Sequence, residues 1–91
     1  MSQPLEDVKH SIEGRYLVQT RVVGPDSSGG FWWEGTVIDS QPPGGSKQGI
    51  VAQNGNKNLK YEDAIQAADT FRAEQVSRIR KARQIGQNPY P

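Results

Sequence analysis

The stretch LKYEDAIQAADTFRAEQVSRIRKARQI, residues 59–85, decides the fold because its apolar residues recur about every 3.6 positions. Acidic side chains open the stretch and basic side chains close it, which is the charge order that a helix dipole favours. Gly86 then offers a left-handed stop. The sequence therefore predicts one long amphipathic helix, whose apolar stripe contains Tyr61, Ala64, Ile65, Ala68, Phe71, Val76, Ile79 and Ala82.

Three segments before this helix alternate in the way that half-buried strands do: residues 15–23, 31–39 and 49–53. In the first strand, alternation puts Tyr16, Val18, Thr20 and Val22 on one face. In the second, Phe31, Trp33, Gly35 and Val37 form the better core face. The core predicted from the strands and the helix together contains Val18, Val22, Phe31, Trp33, Val37, Ile50, Ile65, Ala68, Phe71 and Ile79.

Turn-forming residues separate these strands. Residues 24–30 and 42–47 are rich in Gly, Pro and Ser, so both are predicted to be loops. Asn54-Gly55 is typical of a tight turn, and we expect it to end the third strand.

The N-terminal segment carries a helical spacing of its own. Leu5, Val8 and Ile12 stand at i, i+3 and i+7, Pro4 suits a first helical position, and Gly14 suits the residue after a helix end. The pattern predicts a short N-terminal helix.

These elements predict an α+β fold: a short N-terminal helix, a three-stranded antiparallel sheet, and the long C-terminal helix packed on that sheet. The 91 residues are enough for a single small domain, and we expect residues 87–91 to be a disordered tail. A helix of this length would extend for roughly 36 Å, beyond what three strands cover. Its last turns are therefore expected to project or to pack on a partner, which makes self-association through this helix one prediction.

Composition excludes most catalytic and metal chemistry. The chain has no Cys and one His, so it holds no disulfide, no thiolate ligand and no pair of His ligands. On the predicted N-terminal helix, Glu6 lies one turn before His10 and could orient its imidazole, but a solvated polar face is the plainer interpretation. We expect a non-enzymatic protein without a cofactor.

The sequence also predicts where the protein resides. Only 33% of the residues are hydrophobic, and we expect no association with a membrane. The first residues lack the basic and apolar regions of a secretory signal, so the expected location is cytoplasmic.

Charge is unevenly distributed along the chain. Residues 1–56 hold four basic and six acidic side chains, whereas residues 57–91 hold seven basic and four acidic ones. A cluster at the end of the long helix follows the last acidic residue and could meet an anionic partner such as a nucleic acid. A solvated helix end matched to the dipole is the alternative interpretation. The cluster consists of Arg78, Arg80, Lys81 and Arg83.

Trp32 is the second candidate for binding. If Trp33 faces the core, alternation leaves Trp32 on the opposite face together with Glu34, where a large exposed indole indicates a binding role. The alternative is that the terminal helices cover this face too, which would make Trp32 an ordinary core residue.

Part of the chain resembles the latter half of an SH3 domain. Trp32-Trp33-Glu34-Gly35, followed by Gly45-Ser46-Lys47-Gln48-Gly49-Ile50-Val51-Ala52-Gln53-Asn54, is similar to the Trp-Trp-x-Gly strand of that family and the Gly-rich run that follows it. The resemblance implies an SH3-like or Tudor-like sheet, a stacking role for Trp32 on polyproline ligands, and a place for Asn54 at the groove edge. Ala52 and Gly55 depart from the family, which has Pro and Tyr there.

A second resemblance points to DNA. Residues 61–68 are similar to the helix opening of the small DNA-binding modules at the start of some tyrosine-type integrases, in which a helix packs under a three-stranded sheet. Arg21 and Lys47 are among the few basic residues on the segments that would then enter the major groove.

The function predicted from the sequence is a small protein-interaction or regulatory module that binds another protein. The alternative is a nucleic-acid-binding module that uses the basic end of the long helix. The candidate binding residues are Trp32, Glu34, Arg78, Arg80, Lys81 and Arg83, and no catalytic or metal-binding residue is predicted.

Overall fold

A four-stranded antiparallel sheet, crossed on one face by a C-terminal helix, forms the computed structural model of this chain. The structure describes residues 5–41 and 49–90. The predicted α+β class is confirmed, whereas the predicted N-terminal helix and the count of three strands are wrong. The strands pair in sequence order, and the elements are β1 (Leu5–Glu13), β2 (Tyr16–Gly24), β3 (Phe31–Asp39), β4 (Gly49–Leu59) and α1 (Tyr61–Gln84).

The segment predicted to be the N-terminal helix is the edge strand β1. It pairs with β2 over its whole length, from Leu5 opposite Gly24 to Glu13 opposite Tyr16. Gly14 has a φ of 60°, and with Arg15 it forms a two-residue hairpin turn instead of ending a helix. Backbone pairing with a neighbouring strand therefore overrides a helical spacing that rests on only three apolar residues.

The third predicted strand continues through the expected turn. β4 runs to Leu59, and Asn54-Gly55 lies inside it, opposite Gly35 and Glu34. A Cβ at residue 55 would lie 2.7 Å from the carbonyl oxygen of Trp33, so Gly55 marks a close approach of two backbones. The loop predicted over residues 42–47 lies outside the described residues.

The core lies between α1 and the face of the sheet that carries Val18, Val22, Trp33 and Val37, all of them buried as predicted. Ala68, Phe71 and Ile79 of α1 are buried too, while Phe31 and Ile65 are half-buried at the rim. Ile50 was expected in the core and is 60% exposed, because it pairs with Ile38 on the opposite face. A register shift next to this pair moves Val51 and Ala52 against the core in its place.

Close packing of α1 on the sheet depends on a glycine. A Cβ at Gly35 would lie 2.5 Å from Cε1 of Phe71, so this ring sits directly on the backbone of β3. Phe71 also packs against Trp33, with ring centroids 5.7 Å apart. The last turns of α1 do not project, because Ile79 and Ala82 are buried. The sheet is one strand wider than predicted and covers more of the helix.

Candidate functional site

The face of the sheet turned away from α1, here called the open face, carries the residues that alternate with the core. Strand register aligns these residues into rows that run across the strands. One row contains an aliphatic residue from every strand, and we call it the aliphatic row: Ile12, Leu17, Ile38 and Ile50.

The aliphatic row is strongly exposed at both ends. Ile12 is 72% exposed and Ile50 is 60% exposed, whereas Leu17 and Ile38 between them are half-buried. Val8, on the same face, is 43% exposed. Single exposed aliphatic residues are common on protein surfaces, but a continuous row across a whole sheet is typical of an interaction surface.

Arg21 is the charged centre of the open face. Its Nε lies 3.0 Å from Oε1 of Glu6, and its Nη1 lies 3.3 Å from Oε1 of Glu34. The guanidinium also lies over the ring of Trp32, 5.3 Å from the ring centroid. Two carboxylates thus surround one guanidinium, which leaves this group with a net negative charge and disfavours a phosphate backbone as its ligand.

The structure brings two of the sequence-predicted binding residues, Trp32 and Glu34, together on the open face. Trp32 is half-buried rather than part of the core. Both residues line a shallow hollow of about 690 Å³ at the β4 edge, and Asn54 lines it as well. The tryptophan is therefore partly exposed beside an acidic side chain.

The basic end of α1 is partly neutralised by Glu13, a residue 67 positions away from Arg80 along the chain. Nη2 of Arg80 donates a hydrogen bond of 2.7 Å to Oε1 of Glu13, and Nη2 of Arg83 donates one of 3.2 Å to Oε2. The hydrogen bond from Arg80 lowers the pKa of Glu13, and Glu13 in turn raises the pKa of Arg80. The sequence showed no nearby acid for this cluster, but the fold supplies one.

Arg78 interacts with the C-terminal tail. Its Nε donates a hydrogen bond of 2.6 Å to the carbonyl oxygen of Pro89, and its guanidinium lies 4.8 Å from the ring centroid of Tyr90. Lys81 forms no ion pair with any residue in the described part of the chain. Of the four cations that the sequence singles out, Arg80 and Arg83 form ion pairs with described residues, and Arg78 and Lys81 do not.

Residues 87–91 were expected to be a disordered tail, and Tyr90 within them packs on the body of the protein. Its ring meets that of Tyr16 edge-on, with centroids 5.4 Å apart, and its hydroxyl donates a hydrogen bond of 2.7 Å to Oε1 of Gln75. Burial raises the pKa of the Tyr90 hydroxyl.

A cavity of about 580 Å³ lies between the β1–β2 turn and the end of α1. Arg15 at its rim is held by Asp39, with hydrogen bonds of 2.7 Å from Nε to Oδ1 and 2.6 Å from Nη2 to Oδ2. This paired guanidinium holds the pKa of Asp39 below its ordinary value. Besides Arg15, the polar side chains of Glu13, Ser40, Gln41, Arg83, Gln87 and Asn88 line this cavity.

Glu6 and His10, which the sequence analysis considered as a pair on an N-terminal helix, both lie on strand β1 instead. Both side chains lie on the open face, where Glu6 binds Arg21 and His10 stands opposite Gln19. Over residues 5–41 and 49–90, no group of acidic or His side chains is arranged to hold a metal ion. Within the same ranges, no helix is both long and apolar enough to cross a membrane.

No family model, curated protein or solved structure matches this chain. The resemblances to SH3 domains and to integrase DNA-binding modules therefore stay predictions.

Proposed function

We propose that this chain is a non-enzymatic protein-interaction module that binds its partner through the open face. The observation that carries the proposal is the aliphatic row, in which every strand contributes one residue to a surface that no described part of the chain covers. Burying such a row against a partner removes apolar area from water, which is the main favourable term in protein association.

The charges of the open face support a protein rather than a nucleic acid as the partner. Glu6 and Glu34 flank Arg21 and give this group a net negative charge, which disfavours a phosphate as its ligand. Protein interfaces combine apolar contacts with polar and charged ones, and the open face offers both, through the aliphatic row and through the charged group around Arg21. Trp32 adds a large, partly exposed ring, a residue type enriched among those that dominate binding energy.

The test compares two surfaces that carry similar residues. The variant Ile12→Lys/Ile50→Lys places charges at both ends of the aliphatic row, while Ile85→Lys changes an isoleucine that is 65% exposed just after α1. Each protein is immobilised and exposed to cell extract, retained proteins are identified, and the affinity of each is then measured with purified protein.

We expect a partner whose affinity falls at least about tenfold in the double variant and stays unchanged in Ile85→Lys. Equal binding by the parent and the double variant would contradict a role for the open face. Turnover of a small molecule without any retained macromolecule would contradict the proposal as a whole.

The basic end of α1 carries the alternative proposal, binding of nucleic acid. Arg80 and Arg83 keep 62% and 58% of their side-chain surface exposed despite their pairing with Glu13, so phosphates can reach them. If all four cations contact phosphates, log affinity would fall against log salt with a slope of about −3 to −4. The matched variant changes Arg78, Arg80, Lys81 and Arg83 together to Gln.

DNA titrations at two salt concentrations separate the two proposals. Binding through the open face depends little on salt, because apolar burial releases no condensed ions. If the parent fails to bind DNA near physiological salt, or the fourfold variant binds as tightly as the parent, the nucleic-acid alternative is wrong.

A further inference from the structure

We infer that the partner seated on the open face is a second copy of this chain, an inference that rests on the proposed function. The two copies pack sheet against sheet, related by a two-fold axis that lies between the sheets, parallel to the strands and midway between β2 and β3. Such an axis keeps the position along the strands and reverses their order, so each row of the open face meets the same row of the other copy.

The aliphatic row is complementary to itself under this operation. Leu17 on β2 meets the partner's Ile38, and Ile12 on the outer strand β1 meets the partner's Ile50 on β4. Each of these four residues thus opposes another aliphatic residue. Slipping the second sheet along the strands would place the row against His10, Gln19 and their neighbours, so this register is favoured.

The charged row is complementary to itself as well. Arg21 on β2 stands next to Glu34 on β3, and the same axis brings Arg21 over the partner's Glu34. Each guanidinium then meets Glu34 of its own chain, 3.3 Å away, and Glu34 of the other copy, while Glu6, 3.0 Å from Arg21, lies on the outer strand β1 one row away from this group of four charges. Within the group of four, every neighbouring pair has opposite charge, whereas a register shift across the strands would bring like charges together.

One row further along, Val23 meets the partner's Trp32. Three of the four open-face rows on β2 and β3 are therefore complementary to themselves, two through apolar contacts and one through charge, and the row of Gln19 and Thr36 between them is polar and uncharged. Aligned packing of two sheets at about −30° keeps these central strands in the closest contact, because both sheets twist.

The size of the open face fits a weak, specific dimer. Four strands about 4.8 Å apart and nine residues long, at about 3.3 Å per residue, give a face of roughly 500 Å² in each copy. Two copies would bury about 1,000 Å² before the relief of the side chains is added, which reaches the lower limit for specific interfaces. We therefore expect an equilibrium between monomer and dimer rather than a permanent dimer.

The first test measures molar mass by sedimentation equilibrium from low micromolar to submillimolar concentration. The molar mass of the parent is expected to rise from that of one copy to that of two as concentration increases. The dissociation constant of the Ile12→Lys/Ile50→Lys dimer is expected to be at least about tenfold higher than that of the parent, and that of Ile85→Lys is expected to equal the parent's. Circular dichroism checks that all three proteins are folded. A dimer that persists in the double variant, as association through α1 would give, overturns the inference.

The second test exchanges the charges between two chains. Arg21→Glu and Glu34→Arg each place like charges on both sides of the axis, so each variant alone is expected to stay monomeric. An equimolar mixture of the two variants restores opposite charges across the axis and is expected to form a one-to-one heterodimer. Formation of the heterodimer in the mixture also shows that both variants fold. If the parent dimerises and the mixture forms no heterodimer, the proposed axis is overturned.

The outcomes distinguish this inference from the proposed function. A parent that stays monomeric throughout overturns the dimer but leaves the proposed function standing, provided that Ile12→Lys/Ile50→Lys loses a different protein partner. A monomeric parent without any such partner overturns both.

Discussion

Trp32 and Trp33 are neighbours in the chain, yet the two faces of the sheet give them different roles. Trp33 is 6% exposed and packs against Phe71 of α1, whereas Trp32 lies half-buried under the guanidinium of Arg21 on the open face. The same contrast runs along β2 and β3, where every second residue is buried. The covered face holds the buried core, and the open face keeps apolar groups partly exposed, so we expect stability to depend mainly on the covered face.

The largest test of this contrast compares the two tryptophans. Trp33→Ala should lower the free energy of unfolding by about 3–5 kcal/mol, because it opens a cavity beneath α1. Trp32→Ala should cost about 1 kcal/mol, since it removes a cation–π contact and only partial burial. Urea denaturation of the monomer at low concentration measures both. Equal losses would mean that the two faces do not differ in their contribution to stability.

The second test adds a methyl group where α1 lies closest to the sheet. Gly35→Ala should cost about 1–3 kcal/mol, because the new Cβ would collide with the ring of Phe71. Combining it with Phe71→Leu, which removes part of that ring, should cost less than the sum of the two single changes. Additive losses in denaturation would instead place the ring away from Gly35.

The third test uses pH and the two buried carboxylates of the covered face, Glu13 and Asp39. Arg80 lowers the pKa of Glu13, and Arg15 lowers that of Asp39, so both carboxylates are more acidic in the folded than in the unfolded chain. Their contribution is fully present above the ordinary values of 4.5 and 3.8 and is lost as pH falls through the lowered folded values.

Stability should therefore decline below about pH 4.5, and Glu13→Gln should show a shallower decline. Glu62→Gln, which removes an exposed carboxylate from the first turn of α1, is the control for loss of a charge. The measurement is thermal unfolding at a series of pH values between about pH 2 and 7. A parent and a Glu13→Gln variant with the same pH profile would contradict the role given to the Arg80 pair.

The long helix and the two central strands could be predicted because, in each of them, many residues fit the periodicity of that element. The helix predicted over residues 59–85 spans 61–84, and the alternation in β2 and β3 identifies the buried face correctly. The edge strand β1 could not be recognised from three apolar residues, since their spacing fits a helix as well. Gly14 was the available signal, because a glycine between two segments also suits a hairpin turn.

The candidate site was harder to predict because it depends on register. The aliphatic row combines residues from four strands. One of these residues, Ile12, belongs to β1, which the sequence pattern predicted to be a helix. Arg80 is neutralised by Glu13, which lies 67 positions away along the chain, so composition and local spacing could not predict this contact. Trp32 and Glu34 could be found, because alternation along a single strand is enough to place them on one face.

The smallest test compares two threonines on opposite faces of the sheet. Thr20 is 2% exposed and its Oγ1 accepts a hydrogen bond of 2.8 Å from Nη1 of Arg72, whereas Thr36 lies on the open face. Thr20→Val should cost about 1 kcal/mol, because it leaves a donor of Arg72 without its partner. Thr36→Val should change stability by less than about 0.5 kcal/mol, since valine suits a strand.

A double-mutant cycle then isolates the hydrogen bond itself. Arg72→Met keeps much of the aliphatic stem but removes the donor, so Thr20→Val should cost less in that background than in the parent. The difference, measured by urea denaturation, should be about 0.5–1.5 kcal/mol. An additive cycle would mean that Thr20 is buried for its packing alone, and the covered face would then owe its stability to apolar contacts without help from this polar pair.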